Sequence, residues 1–223
     1  VTLDERLSGI TARAAAAAAR AGRGIDELTI IPVTKFHPAS LVRELYGLGI
    51  RDVAENRHQE AREKAVELSD LVDLRWHFVG QLQGKKARQV RSYAHAVHSV
   101  DRASLIDALA SDHEETPIFL QVNLTDDPAR GGAAADQLEN LAELALSAPG
   151  IRLEGLMAVA PLGAEPRAAF AHVRELSERI RLIAPTATSI STGMSADFEE
   201  AIAEGATHLR IGTAITGIRP SDG

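Results

Sequence analysis

The chain opens on a helical rhythm. Leu3, Leu7, Ile10 and Ala14 follow one another at steps of three or four, which places them on one face of a helix. Thr2 and Glu5 stand at capping-box spacing in front of it, and residues 14–19 are unbroken alanine, the strongest helix former. Gly22 and Gly24 stop the element. After them the rhythm changes to short apolar, β-branched runs at 28–35, 52–56, 76–80, 96–101, 117–124, 153–161, 188–193 and 208–217. The stretches between return to helical spacing, as in Leu41, Val42, Leu45 and Leu48, or Leu138, Leu141, Leu144 and Ala145.

Strands alternating with helices imply βαβ units and a parallel sheet. Eight such units suffice to close a (β/α)8 TIM-type barrel carrying an extra N-terminal helix, and nothing between them reads as a domain linker. The expectation is one α/β domain over residues 1–223, with a doubly wound open sheet as the alternative. Pro32 lacks a ladder donor, so a bulge or an early strand position is expected there.

Composition narrows the class. With 45% hydrophobic and 25% charged residues, 223 residues can bury an ordinary core. The absence of cysteine excludes a disulfide scaffold, thiolate metal sites and a cysteine nucleophile. A net charge of −7 without a basic block argues against nucleic acid or an anionic membrane as partner. No segment has the ~20 apolar residues of a membrane span. Asp4 and Glu5 stand where a signal peptide carries positive charge, so a cytoplasmic protein is expected. The basic residues are 20 arginines and only 4 lysines: Lys35, Lys64, Lys85 and Lys86.

In a barrel, polar residues at the C-terminal ends of strands surround the active-site mouth. Reading those ends gives Lys35, Asn56, His77, Asn123, Met157, Ser191 with Thr192, and Arg210 to Thr213, from seven strands. A lysine closing a buried strand is expected to be desolvated and partly neutral, able to form a Schiff base; a snorkelling lysine is the plainer alternative. Ser191 to Ser195 and Arg210 to Thr213 suit a phosphate held between the last two loops, with Gly193 and Gly212 admitting close approach; turn glycines and an N-cap serine are the alternative. Other signals fail. The segment 80–85 is one residue short of a P-loop, and 193–197 lacks the last glycine of a nucleophile elbow. His95 and His98, three apart in a strand, are expected to face opposite sides and make no metal pair. His77 is the best placed histidine, with a hydrogen-bonded core role as its plainer reading.

The ordered motifs resemble those of the pyridoxal-phosphate homeostasis proteins, which are similar to the barrel domain of alanine racemase. The resemblance runs through Lys35, Glu55-Asn56-Arg57 with Gln59-Glu60, residues 76–83 with Lys85 or Lys86, residues 98–101, and Asn123, Asp127, Arg130 and Gly132. It continues through residues 155–157, 191–197 and 210–217. It implies that Lys35 carries pyridoxal 5'-phosphate as an internal aldimine. Ser191, Gly212 and Thr213 are implied to hold the phosphate, and Arg210 to face the pyridine nitrogen. Asn56, His77, Met157 and Gly193 complete the expected cofactor-binding set. The chain departs from the family pattern at Ala54, Asp127, Arg130 and Thr192. A carrier that supplies cofactor to apo-enzymes, as a monomer without a metal, is expected ahead of a racemase or decarboxylase. No second domain bringing a second base is expected after Gly223, and an arginine at the ring nitrogen is expected to weaken the ring as an electron sink.

Overall fold

The computed structural model describes residues 1–125 and 127–218; the last five positions of the expected 1–223 domain lie outside the described residues. Helix α1 (Leu3–Arg20) begins as its spacing requires. The Thr2 hydroxyl accepts from the Glu5 amide at 3.2 Å while the Glu5 carboxylate accepts from the Thr2 amide at 2.7 Å, which satisfies two amide donors that the first turn leaves unpaired.

Among the described residues eight strands follow: β1 (Thr29–Pro32), β2 (Asp52–Glu55), β3 (Arg75–Phe78), β4 (Ala94–Val100), β5 (Thr116–Gln121), β6 (Ile151–Met157), β7 (Ser189–Ser191) and β8 (His208–Ile211). They alternate with α2 (Ala39–Gly47), α3 (His58–Glu67), α4 (Gly84–Arg91), α5 (Ala103–Leu109), α6 (Leu138–Ser147), α7 (Pro166–Ile183), α8 (Phe198–Ala203) and α9 (Thr213–Thr216). All ladders are parallel, in the order β1-β8-β7-β6-β5-β4-β3-β2. The sheet closes where Val33 bridges Ala54 and the Thr34 amide donates to the Ala54 carbonyl at 2.9 Å. The fold is a nearly closed (β/α)8 TIM-type barrel.

Strand alternation sorts the side chains into two layers. Val53, Leu120, Leu156 and Leu209 point outward and pack under the helices with Val42, Leu138, Val173, Leu7 and Ile10. The inward set is far more polar. Asp52, His77, His98, Ser191 and Arg210 meet inside the barrel beside Ala96, Phe119 and Met157.

Two local expectations are corrected. Pro32 is neither a bulge nor an early position. It is the last residue of β1, and the next ladder donor is the amide of Val33, which bonds Ile211. The stretch expected as a strand over 208–217 stops at Ile211, because Gly212 turns the chain into α9.

Candidate functional site

The turn after β1 carries Lys35, and it is anchored from below. Thr34 is fully buried, and its hydroxyl donates to the Glu55 carboxylate at 2.7 Å. The ammonium of Lys64, on α3, donates to the Thr34 carbonyl at 2.9 Å, to Glu55 at 2.6 Å and to Glu60 at 2.7 Å. The same Glu60 oxygen accepts the Phe36 amide at 2.6 Å. Phe36 takes φ +66°, a conformation rare for a residue with a side chain, and these bonds hold it there. The buried lysine of the region is therefore Lys64, whereas Lys35 is exposed. That corrects the expectation that a strand-end position desolvates Lys35: β1 ends three residues earlier, and the turn lifts the amine toward solvent, 5.9 Å from the Phe36 ring centre. Burial pushes the Glu55 carboxyl up, against the opposing pull of Lys64.

On the neighbouring strand β8, Arg210 floors the mouth. Its Nη1 donates to the carbonyl and the hydroxyl of Ser191, both at 2.6 Å, and Nη2 donates to the Ala158 carbonyl at 2.9 Å. A guanidinium has five N–H groups, so these three bonds leave two uncommitted. Burial draws Arg210 down to about 10, so it stays charged at neutral pH.

Below Arg210 the polar contacts continue in one line. Ser191 Oγ lies 2.8 Å from His98 Nδ1, His98 Nε2 lies 2.8 Å from His77 Nδ1, and His77 Nε2 lies 2.8 Å from Asp52 Oδ1. Arg75 closes the far end on the other Asp52 oxygen at 2.5 Å. Burial opposes ionisation of Asp52, yet the bonds from His77 and Arg75 outweigh it and hold the carboxyl below its ordinary range. Burial first, and then its cationic neighbours, hold His98 well below the ordinary histidine value.

This arrangement corrects two members of the expected set. His77 lies in the barrel interior with both ring nitrogens taken, and the Ser191 hydroxyl is fully buried between Arg210 and His98, so neither polar group reaches a ligand at the mouth. The plainer reading of His77, a hydrogen-bonded core histidine, is the observed one. Asp52 and His98 were not singled out in the sequence. His98 was set aside because it stands three residues from His95, but β4 slips its register against β3 between Trp76 and His77. Both rings consequently approach His77, with centroids 5.6 and 5.0 Å away. Among the described residues no group could hold a metal ion.

The remaining expected residues sit around the rim. Asn56 follows β2, and its side-chain Oδ1 is buried without a hydrogen-bond partner. Met157 ends β6, buried against Ala96 and Phe119. Gly193 has a reason internal to the protein: φ is +89°, and an added Cβ would lie 2.8 Å from that of Ala201 on α8. Gly212 has no such reason, since a Cβ there would meet only Val33 at 4.0 Å. Thr213 follows it at the start of α9, exposed.

An exposed amine, a cationic floor with two N–H groups uncommitted, an unpaired amide oxygen and an open glycine thus share the C-terminal end of one barrel. Residues 6–220 match the model of the alanine racemase N-terminal domain, and the chain belongs to that family. It is 41% identical over 202 residues to a pyridoxal phosphate homeostasis protein of Corynebacterium glutamicum, covering 86% of this chain and 90% of the relative. The protein of that name from Pseudomonas aeruginosa is 41% identical over 228 residues, covering 98% and 96%. Among solved structures, PipY of Synechococcus elongatus PCC7942 with PLP bound superposes with a TM-score of 0.81 at 35% identity, over 97% of this chain and all of that one.

Proposed function

We propose that this protein binds pyridoxal 5'-phosphate at the barrel mouth, attached as a Schiff base to Lys35, and keeps the cofactor available to apo-enzymes. The residues present fit the cofactor. Lys35 offers the exposed amine, and Arg210 offers N–H groups to the edge of the ring from beneath. The unpaired Oδ1 of Asn56 lacks a donor that a ring hydroxyl would supply. Gly212 leaves room beside Thr213, where backbone amides and a hydroxyl suit a phosphate. Ser191 serves this site by orienting Arg210, and His77 by supporting Ser191.

When bound, the cofactor supplies an aldehyde that condenses reversibly with amines. The observation that carries the carrier reading is Arg210. A guanidinium tied down by three bonds gives up no proton, so it would leave the nitrogen of a bound pyridine ring unprotonated and that ring a weak electron sink. Holding and releasing the cofactor needs no strong sink; decarboxylation and transamination benefit from one. The carrier acts as a monomer in this reading.

Borohydride reduction of protein loaded with pyridoxal phosphate, followed by peptide mapping, should place the adduct on Lys35. An adduct mainly on Lys64, Lys85 or Lys86 would refute the assignment. Robust turnover of an amino acid that disappears in Lys35→Ala would replace the carrier by an enzyme.

A further inference from the structure

With one hydrogen on each histidine ring, the contacts beneath Arg210 have one consistent direction. Arginine can only donate and an ionised carboxylate can only accept. With Asp52 able only to accept, His77 gives it the Nε2 hydrogen and leaves Nδ1 to accept, so the run comes down from Ser191, whose Oγ accepts from Arg210 and whose hydrogen goes to His98 Nδ1. His98 then carries its hydrogen on Nε2 and gives it to His77 Nδ1, and His77 in turn gives its Nε2 hydrogen to Asp52. The opposite sense at His98 would need a second hydrogen on His77, because the carboxylate cannot donate. The line is therefore no proton-swapping wire but a fixed strut, with a cation at the mouth and an anion at the base. Its base end emerges at Arg75, which with His95 lines a hollow of about 620 Å³ on the N-terminal face of the barrel.

We propose that Asp52, His77 and His98 are positioning residues for the cofactor site: their one-way chain sets the rotation of the Ser191 hydroxyl and so the plane of the Arg210 guanidinium. The proposal rests on the reading of the mouth as a pyridoxal-phosphate site. The reasoning is geometric. Arg210 Nη1 is placed by the carbonyl and hydroxyl of a single residue, Ser191. If that hydroxyl loses its acceptor, its hydrogen and lone pairs can turn about the Cβ–Oγ bond, and one of the two bonds that fix Nη1 loses its alignment. Asp52 opens β2 three residues before Glu55, so it acts from about 10 Å below the mouth, at ~3.3 Å per strand residue, without touching the ligand.

The test combines two measurements on the full chain. Imidazole 15N spectra of the unloaded protein should show both His77 and His98 with hydrogen on Nε2 and bare Nδ1; hydrogen on Nδ1 of either ring breaks the chain and overturns the proposal. Pyridoxal phosphate is then titrated into wild type, Asp52→Asn and Asp52→Ala, reading affinity and the visible band of the bound cofactor, with thermal melts showing that each variant is folded at the temperature used. Asp52→Asn keeps an acceptor for His77 without the charge. It should bind about threefold to tenfold more weakly with a shifted band, between wild type and Asp52→Ala. A purely structural role for Asp52 leaves the band of the bound cofactor at its wild-type position. Folded variants with wild-type affinity and band overturn the proposal alone. His98→Leu, which cuts the chain at its middle, serves as the second variant and should move the same band if Asp52→Ala fails to fold. Failure of wild type to bind pyridoxal phosphate overturns the functional reading itself, and the proposal with it.

Discussion

The histidines inside the barrel make its stability sensitive to mild acid, and His208 lets the effect be isolated. Its ring sits among His98, His77 and Phe119, and burial, followed by repulsion from its charged neighbours, pulls it from 6.5 down to about 4. The unfolded chain then takes up this proton near pH 6.5, while the folded one resists it until about pH 4. A depressed folded value means that the stability is present above pH 6.5 and is lost as pH falls toward 4. The whole gap corresponds to about 3 kcal/mol, an upper bound because the ring is only partly buried. Between pH 7 and 5 the loss from this one group is about 2 kcal/mol. In His208→Gln an amide replaces the ring that bonds Thr207, and no group at that position titrates. The two proteins are compared by urea unfolding at pH 7, 6 and 5. The variant is expected to begin less stable and to lose about 2 kcal/mol less over that range. His98 contributes in the same direction in both proteins, chiefly through its burial, and only the smaller part of its shift that comes from His208 differs between them. Parallel pH dependences for wild type and His208→Gln would refute the argument.

Two more outcomes follow from the mouth. Lys64→Met leaves Glu55 and Glu60 without their shared cation and should cost about 3–5 kcal/mol in urea unfolding, the amount typical of a broken buried pair; a loss below 1 kcal/mol would show that the anchor under Lys35 is slack. Thr213→Val should weaken retention of pyridoxal phosphate about tenfold in equilibrium dialysis, since a hydrogen bond to a charged group is worth about 1.5–3 kcal/mol, and unchanged retention removes the hydroxyl from the phosphate site.

The barrel was legible because its signals are local. Each strand announces itself as an apolar run, each helix as a 3.6-residue rhythm, and eight alternations leave few architectures. The rim residues were legible for the same reason, since a strand end is visible in one dimension. The interior was not. Asp52 opens a run that reads as ordinary sequence, and its partners stand 25 and 46 positions away on other strands. His98 was misread because alternation counts residues, and a register slip in β4 shifts the count. Whether Lys35 is desolvated or reaches water was left open by the apolar run around it; β1 ends at Pro32, and the chain turns through the lysine to a left-handed Phe36 just beyond it.

The caged state of Lys64 bears on chemical selectivity. A reactive aldehyde condenses with any accessible uncharged amine, so a protein handling one risks modification wherever lysine decorates its surface. This chain answers almost all its need for positive charge with arginine, whose guanidinium stays protonated and is a poor nucleophile. Of its four lysines, Lys64 is buried, with its ammonium bonded to Thr34, Glu55 and Glu60, out of reach of an aldehyde in solution. On the proposal that Lys35 takes the aldehyde, its rivals among the lysines are Lys85 and Lys86, side by side on α4. Reagents that label amines should therefore find few targets here, and the stoichiometry of aldehyde capture should stay low even at high excess.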